Sequence, residues 1–483
     1  MTLVDRIRQL EQASRTLEPD TAERQGLADA ASAYAEEFLS ALPDLPAFVE
    51  TDDKGKGLFD SPISEEPRSM EALIEHLRRD VDRPGLNSAS PAHLGYIPCS
   101  GLYASALGDY LAAVTNRYSG VFFSSPGAVR MENLLIDWMR ELVGYPKETA
   151  AGNLTSGGSI ATLIGIVAAR DAFGLKGKDF ERTVIYASAQ THHSVFKALR
   201  VAGLGECIQR LVPLDERYRM RARALEDMIE DDRRAGRAPF LVVAAAGATD
   251  TGVVDPIEEI AATCERHDLW LHVDAAYGGF FRLCEEGRKI VRGLERSNSV
   301  IMDPHKTLFV PLGSGVALVR DKKNLLESHH YLPSYMQDTM RARDELSPAD
   351  LSPELSRPFR GLRLWLPLLL HGLAPFRAAL EEKLWLARYF HRELGAKPGF
   401  EVGPEPDLSV VTFRYVPANG PADAFNDALV RAIHRDGRIF ISSTMLDGRF
   451  TLRLAIGSFR THLDTIDAAL DVIAELASRL ESD

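Results

Sequence analysis

Two short apolar runs between Leu269 and Lys306 constrain this chain more than any other part of it. The first, Leu269-Trp-Leu-His-Val273, is rich in β-forming residues and ends at a carboxylate, Asp274. The second, Ser299-Val-Ile-Met302, ends in Asp303-Pro-His-Lys306. Short apolar runs separated by a helical interval predict successive strands of an open α/β sheet. Such sheets bind ligands outside the carboxyl ends of their parallel strands, so Asp274 and Lys306 are expected to face one crevice from neighbouring strand ends. A lone lysine there is usually a solvated charge, and a lone aspartate usually caps the next helix. Together they suit a narrower task. A lysine amine forms a Schiff base with a carbonyl cofactor, and a carboxylate against a pyridine nitrogen keeps that nitrogen protonated and able to accept electrons. The pair is what pyridoxal 5'-phosphate (PLP) requires.

The surrounding sequence supplies a matching frame. Thr183–Ala187 and Phe240–Ala245 also read as strands, and strand alternates with helix from about residue 150 to residue 320. That alternation predicts a mostly parallel sheet with helices on both faces. Gly152-Asn-Leu-Thr-Ser-Gly-Gly-Ser159 is a Gly/Ser-rich turn feeding a helix, whose free N–H groups and dipole make an anion site from Gly157, Gly158 and Ser159. It lacks the Gly-Lys-Ser/Thr of a nucleotide P-loop and the Gly-x-Gly-x-x-Gly of a dinucleotide site, so a single phosphate suits it better. A histidine can stack on a pyridine ring. Of the adjacent pair His192 and His193, His192 is chosen, because both cannot face the cofactor. Thr249 lies near the same rim, where it could bond the cofactor hydroxyl or orient Asp274. Asp255 is expected to N-cap the helix that follows it.

A chain of 483 residues exceeds the roughly 250–300 at which single cores split, so more than one domain is expected. The boundaries read as a helical arm over 1–85, a large cofactor-binding domain over 86–365 and a small α/β domain over 366–483. Residues 365–375 form the connection. In the small domain Ser409–Arg414 and Phe450–Ala455 read as strands, and Arg453 is expected at the surface or in an ion pair. The arm carries apolar faces such as Leu3, Ile7 and Leu10, which should pack on the main domain or on a second subunit. His93 and Tyr96 belong to a loop that either lines a substrate pocket or packs inertly. A net charge of −13 argues against nucleic acid or anionic membrane as partner, and no apolar run approaches the roughly 20 residues of a membrane span. Cys99, Cys207, Cys264 and Cys284 are scattered without metal-ligand spacing. With no signal-peptide core near Met1, the expected location is the cytoplasm.

Taken together, Thr155-Ser-Gly-Gly-Ser159, Gln190-Thr-His192, His272-Val-Asp-Ala-Ala-Tyr-Gly278, Asp303-Pro-His-Lys306 and Ser352–Trp365 resemble the PLP-dependent group II amino-acid decarboxylases. That family includes aromatic-L-amino-acid, glutamate and histidine decarboxylases. The resemblance implies a type I PLP-transferase fold and decarboxylation of an L-amino acid to its amine. It also implies a homodimer with active sites near the subunit interface. Lys306 matches the Schiff-base lysine, Asp274 the carboxylate on the pyridine nitrogen, and His192 and Ala276 the residues on the two ring faces. Gly157, Gly158 and Ser159 match the phosphate cradle, His305 stands beside the lysine, and Thr249 stands near the cofactor's polar edge.

Two departures stand out. Asparagine is common in the family where this chain has Asp303, and an acid near a phosphate is unfavourable, so Asp303 is expected to point elsewhere. Relatives also carry a tyrosine, usually read as the Cα proton donor, on a mobile loop. Residues 338–352 contain none, although His329, His330, Tyr331 and Tyr335 lie upstream. Some members lacking it use oxygen to form an aldehyde, which is the first alternative here. A PLP enzyme of aminotransferase type and a silent scaffold are the others. The substrate side chain is not legible.

Overall fold

The computed structural model describes residues 1–97, 100–330 and 345–482. A short antiparallel pair joins β1 (Phe48–Val49) to β2 (Gly85–Leu86). The large sheet takes β3 (Ala151–Thr155), β4 (Thr183–Ala187), β5 (Ile208–Leu211), β6 (Ala238–Ala245), β7 (Trp270–Asp274), β8 (Ser299–Met302) and β9 (Gly315–Val319). Its order is β3-β9-β8-β7-β6-β4-β5. The neighbouring pairs from β8 through β5 are parallel, and β9 runs antiparallel to both β3 and β8. A second, antiparallel sheet joins β10 (Phe400–Val402), β11 (Val410–Tyr415), β12 (Ser442–Leu446) and β13 (Arg449–Ala455) in the order β10-β11-β13-β12. This is the mostly parallel α/β architecture that the strand–helix alternation implies, with a helical N-terminal region and a small C-terminal sheet.

The apolar strands form because both faces of the large sheet are covered. Every residue of β3, β4, β8 and β9 is buried. Successive side chains enter different cores. On β6, Val242 and Ala244 join Leu225, Ile229 and Ile260, whereas Leu241 and Val243 join Ile164, Val195 and Leu199. Each fully buried Val, Ile or Leu contributes about 1.5–3 kcal/mol relative to exposure. Glycine sets two close approaches. A Cβ on Gly152 would lie 2.4 Å from the Ala317 carbonyl oxygen of β9, and one on Gly165 would lie 2.9 Å from the His272 ring.

The Ser352–Trp365 stretch is fastened to the large sheet by buried charge. Arg357 donates to Asn153 Oδ1 and to Glu132 Oε2, each at 2.6 Å. Glu132 Oε1 accepts the backbone N–H of Arg360 at 2.9 Å and of Gly361 at 3.1 Å. Arg360 in turn grips Glu354 with two bonds of 2.8 Å. Removing one member of such a buried pair leaves a charge uncompensated, at a cost of roughly 3–5 kcal/mol. The network braces β3, and the turn leaving β3 builds one end of the cavity described below.

Across residues 365–375 the helix Leu362–His371 runs to Gly372, whose φ of 70° breaks it, and a second helix resumes at Leu373. Two local expectations are corrected. Asp255 is not an N-cap: it is buried and accepts the backbone N–H groups of Met220 (2.7 Å) and Ala245 (2.8 Å), and burial raises its pKa to about 6. Arg453 is neither superficial nor aimed at a carboxylate. It is buried and donates to Asp250 O (3.1 Å), Ser442 Oγ (2.9 Å) and Tyr96 O (3.2 Å), tying β13 to two loops of the large domain. Among the described residues no helix is long and apolar enough to cross a membrane.

Candidate active site

The carboxyl ends of β3, β4, β6, β7 and β8 open onto one cavity of about 410 Å³. Its lining includes Gly157, Gly158 and Ser159 after β3, His192 after β4 and Thr249 after β6. Asp274 and Ala276 enter from the end of β7, and His305 and Lys306 from the end of β8. The structure therefore gathers the nine residues expected around the cofactor at one rim. Ser156, Gln190, Ala245, Tyr277, Ile301 and Asp303 also line it, and of these the sequence reading gave no site role to any.

At one end, β3 delivers the chain into the helix Gly158–Ala172. The Thr155 side chain bonds across the turn to Gly157 O at 3.0 Å, and Gly157 has φ 151°, which disfavours any side chain there. Ile160 and Ala161 make the first helical bonds, back to Gly157 O, so the N–H groups of Gly158 and Ser159 precede the intrahelical ladder. Those donors, the helix dipole and two serine hydroxyls could together hold an anion.

His192 both caps and lines. Its Nδ1 lies 2.7 Å from Ser194 Oγ and accepts the Ser194 backbone N–H at 3.4 Å, capping the helix His193–Val201. Burial holds its imidazole below the usual pKa, against the opposing pull of Asp274, so the neutral ring is favoured. His193, its neighbour at 4.2 Å between ring centroids, is exposed and does not line the cavity.

Asp274 accepts the Ala276 backbone N–H at 3.1 Å, which fixes its carboxylate at the strand end. Two residues back on the same sheet face, His272 is fully buried with Nδ1 2.8 Å from Ser299 Oγ, and burial pushes its pKa down to about 4. It is a neutral support for the floor of the site.

Asp303 is the main correction. It does not point away: it is buried at 2% exposure, and its Oδ2 lies 3.2 Å from Lys306 Nζ. Asp303 and Lys306 stand three residues apart around the single turn Pro304–Thr307, which brings their side chains to one face. That spacing was the signal available in the sequence. His305 hydrogen-bonds the Ser314 carbonyl through Nδ1, and burial lowers its pKa.

Several other candidates lie elsewhere. His93 is buried against Phe440 (ring centroids 5.9 Å apart), and neither it nor Tyr96 lines the cavity. His329 and His330 end the adjoining helical segment. His330 pairs with Asp350 at 3.0 Å, and neither lines the cavity of its own chain. Tyr331, Tyr335 and Cys99 lie outside the described residues.

The residues present fit PLP. An amine, a fixed carboxylate, a flat neutral ring and an anion-binding helix end surround one cavity, and Gly158 leaves open the space that a Cβ would take. Comparison with known proteins agrees. The pyridoxal-dependent decarboxylase conserved domain matches residues 53–416. The chain belongs to that family. It is 33% identical over 424 residues to an aromatic-L-amino-acid decarboxylase of Bacillus atrophaeus, covering 87% of each chain. It is also 29% identical to a phenylacetaldehyde synthase of Petunia hybrida, covering 87% of each. An Oryza sativa TDC solved with PLP and tryptamine superposes with a TM-score of 0.90 at 27% identity, covering 96% of this chain and 99% of that one. The enzyme is thus a PLP-dependent carboxy-lyase.

Proposed function

We propose that the enzyme decarboxylates an L-amino acid to the corresponding amine and CO₂, with Lys306 as the covalent anchor of PLP. The observation that carries this reading is the convergence of Lys306, Asp274 and the helix end at Gly158 on one cavity at the carboxyl edge of the sheet. When bound, PLP supplies an aldehyde that engages an amine and a pyridine ring that accepts the electron pair released as Cα–CO₂ breaks. Asp274 holds the proton on the pyridine nitrogen. His192 offers its neutral imidazole to one face of the ring, and Ala276, with no side chain beyond Cβ, leaves room at the other. The N–H groups of Gly158 and Ser159 and the turn at Gly157 hold the phosphate. His305 steadies the lysine turn, and the Thr249 hydroxyl serves the cofactor's polar edge.

A second reading has its own support. The tyrosine-free sequence from 338 to 352 and the likeness to the Petunia synthase favour oxidative conversion to an aldehyde. That reaction consumes one O₂ and one H₂O and yields aldehyde, CO₂, NH₃ and H₂O₂. The purified enzyme is to be screened with single L-amino acids, the aromatic ones first given its relatives. CO₂ and amine in equal amounts without oxygen uptake support the decarboxylase. Stoichiometric O₂ consumption with H₂O₂ overturns it in favour of the aldehyde synthase.

We further propose that two copies pair. No residue of the helix Leu3–Ser14 is buried, and Leu3, Ile7 and Leu10 are 78%, 54% and 51% exposed. Tyr103, Tyr110 and Val114 leave a second apolar face uncovered on the helix Tyr103–Thr115. Light scattering is expected to give about twice the chain mass of 53.3 kDa, and a mass equal to one chain refutes the pairing.

A further inference from the structure

We propose that Asp303 is a proton-carrying member of the phosphate site, donating a hydrogen bond to a phosphate oxygen only when protonated, so that phosphate occupancy draws in one proton. This rests on the reading of the cavity as the PLP site.

Asp303 leads into the turn Pro304–Thr307 from the end of β8. A Cβ built on Gly158 would lie 2.8 Å from its Oδ2 and 3.3 Å from its Oδ1, so the carboxyl faces the first residue of the helix Gly158–Ala172. Oδ1 is buried and has no hydrogen-bond partner among the described residues. The anion-binding end therefore contains both backbone donors and a carboxyl oxygen without a partner.

The charges around it decide its state. From its own turn Asp303 faces Lys306 Nζ at 3.2 Å and His305 Nε2 at 3.7 Å. From β7, Asp274 adds negative charge, and from the helix Gly158–Ala172 come the positive dipole end and its N–H groups. Burial pushes the Asp303 carboxyl above the usual carboxylate range, with Lys306 and His305 opposing and Asp274 reinforcing. Loading drives it further the same way, because a phosphate brings a like charge toward a buried carboxylate and so disfavours its ionised form. The carboxyl then takes a proton and turns from a repelling acceptor into a donor.

The sign follows from linkage. The occupied-state pKa lies above the empty-state value, so binding is tightest at low pH and weakens as pH rises between the two, by about tenfold per unit at most. The test is calorimetric titration of the full-length chain, stripped of cofactor, with PLP and separately with inorganic phosphate. Two buffers of unlike ionisation enthalpy are used, from about pH 6.5 to about pH 8.5. Wild type is expected to take up about one proton more per PLP bound than Asp303→Asn, which keeps a donor without titrating. Asp303→Asn should bind PLP at the upper pH at least as tightly as wild type, with a flatter pH profile. Asp303→Ala, lacking a donor, should bind more weakly across the range and show no extra proton. Equal proton counts and parallel pH profiles for wild type and Asp303→Asn overturn the proposal. Borohydride reduction separates the two levels of failure. If PLP is trapped on Lys306 while proton counts are equal, only the role of Asp303 falls. If nothing is trapped on Lys306, the reading of the site falls with it. Circular dichroism of each variant confirms that the fold is retained.

Discussion

Lys306→Ala is expected to lower kcat by roughly 10³- to 10⁵-fold, which corresponds to about 4–7 kcal/mol of lost transition-state stabilisation. The amine is placed by the turn Pro304–Thr307 directly after β8, and its Nζ is held 3.2 Å from Asp303. Losing it removes the amine that lines the cavity and can link covalently to an aldehyde, although the helix end at Gly158 and Asp274 remain. The variant should therefore still bind PLP, but exchange it rapidly on dialysis and lose the visible absorbance band of the attached cofactor. Steady-state turnover and an absorbance spectrum before and after dialysis check both parts. A variant retaining a tenth of wild-type turnover with an undialysable chromophore would falsify the assignment.

Asp274→Ala should cost about 10²- to 10³-fold in kcat, comparable to removing a fixed group that stabilises charge in the transition state. The carboxylate stands at the end of β7 and is fixed by the Ala276 N–H, so nothing has to reorganise when the pyridine nitrogen arrives. Excess PLP should not restore the rate, because the defect lies in the proton on the ring nitrogen rather than in occupancy. Asp274→Glu offers a control: it keeps the charge and displaces it, so an intermediate loss is expected. Rates measured at saturating PLP decide the matter, and a loss below tenfold for Asp274→Ala would remove Asp274 from the proposed role.

The linked titrations give these variants a pH signature. Burial depresses the pKa of His192 and His305, so both favour the neutral form at neutral pH. A neutral His192 can lie against a cationic ring without repulsion, whereas acidification through its lowered pKa adds a like charge. In Asp274→Ala the carboxylate that favours the imidazolium is gone, so the His192 titration should move to still lower pH.

Much of the architecture was legible because it is written in short-range patterns. Val184, Ile185 and Tyr186 are apolar without alternation, and a strand buried on both faces must be so. Asp274 and Lys306 follow such strands directly, so chain direction alone carried them to one edge of the sheet. The Gly/Ser turn at 156–159 announced its helix end for the same reason: the donors are backbone groups, and glycine lets them be approached. Ala276 and His305, by contrast, were named through the resemblance to the decarboxylase family and not through local pattern.

What the sequence did not determine depends on partners far away along the chain. Asp255 looked like a helix cap, but the folded chain brings Met220 N–H to its carboxyl. Arg453 looked superficial until β13 was laid beside Tyr96 and Asp250. Arg357 and Glu132 find each other only because the segment after residue 345 returns to the helix Pro126–Val143. Asp303 was misread for a related reason. Like-charge repulsion with a phosphate argued that it should turn away, yet the turn after β8 holds it against Gly158, and burial with Lys306 nearby makes its proton state adjustable. Local sequence determined which groups the chain carries to the sheet edge, because period and chain direction are local. Tertiary structure alone decided how those groups are charged, because desolvation and neighbouring charges are properties of the assembled interior.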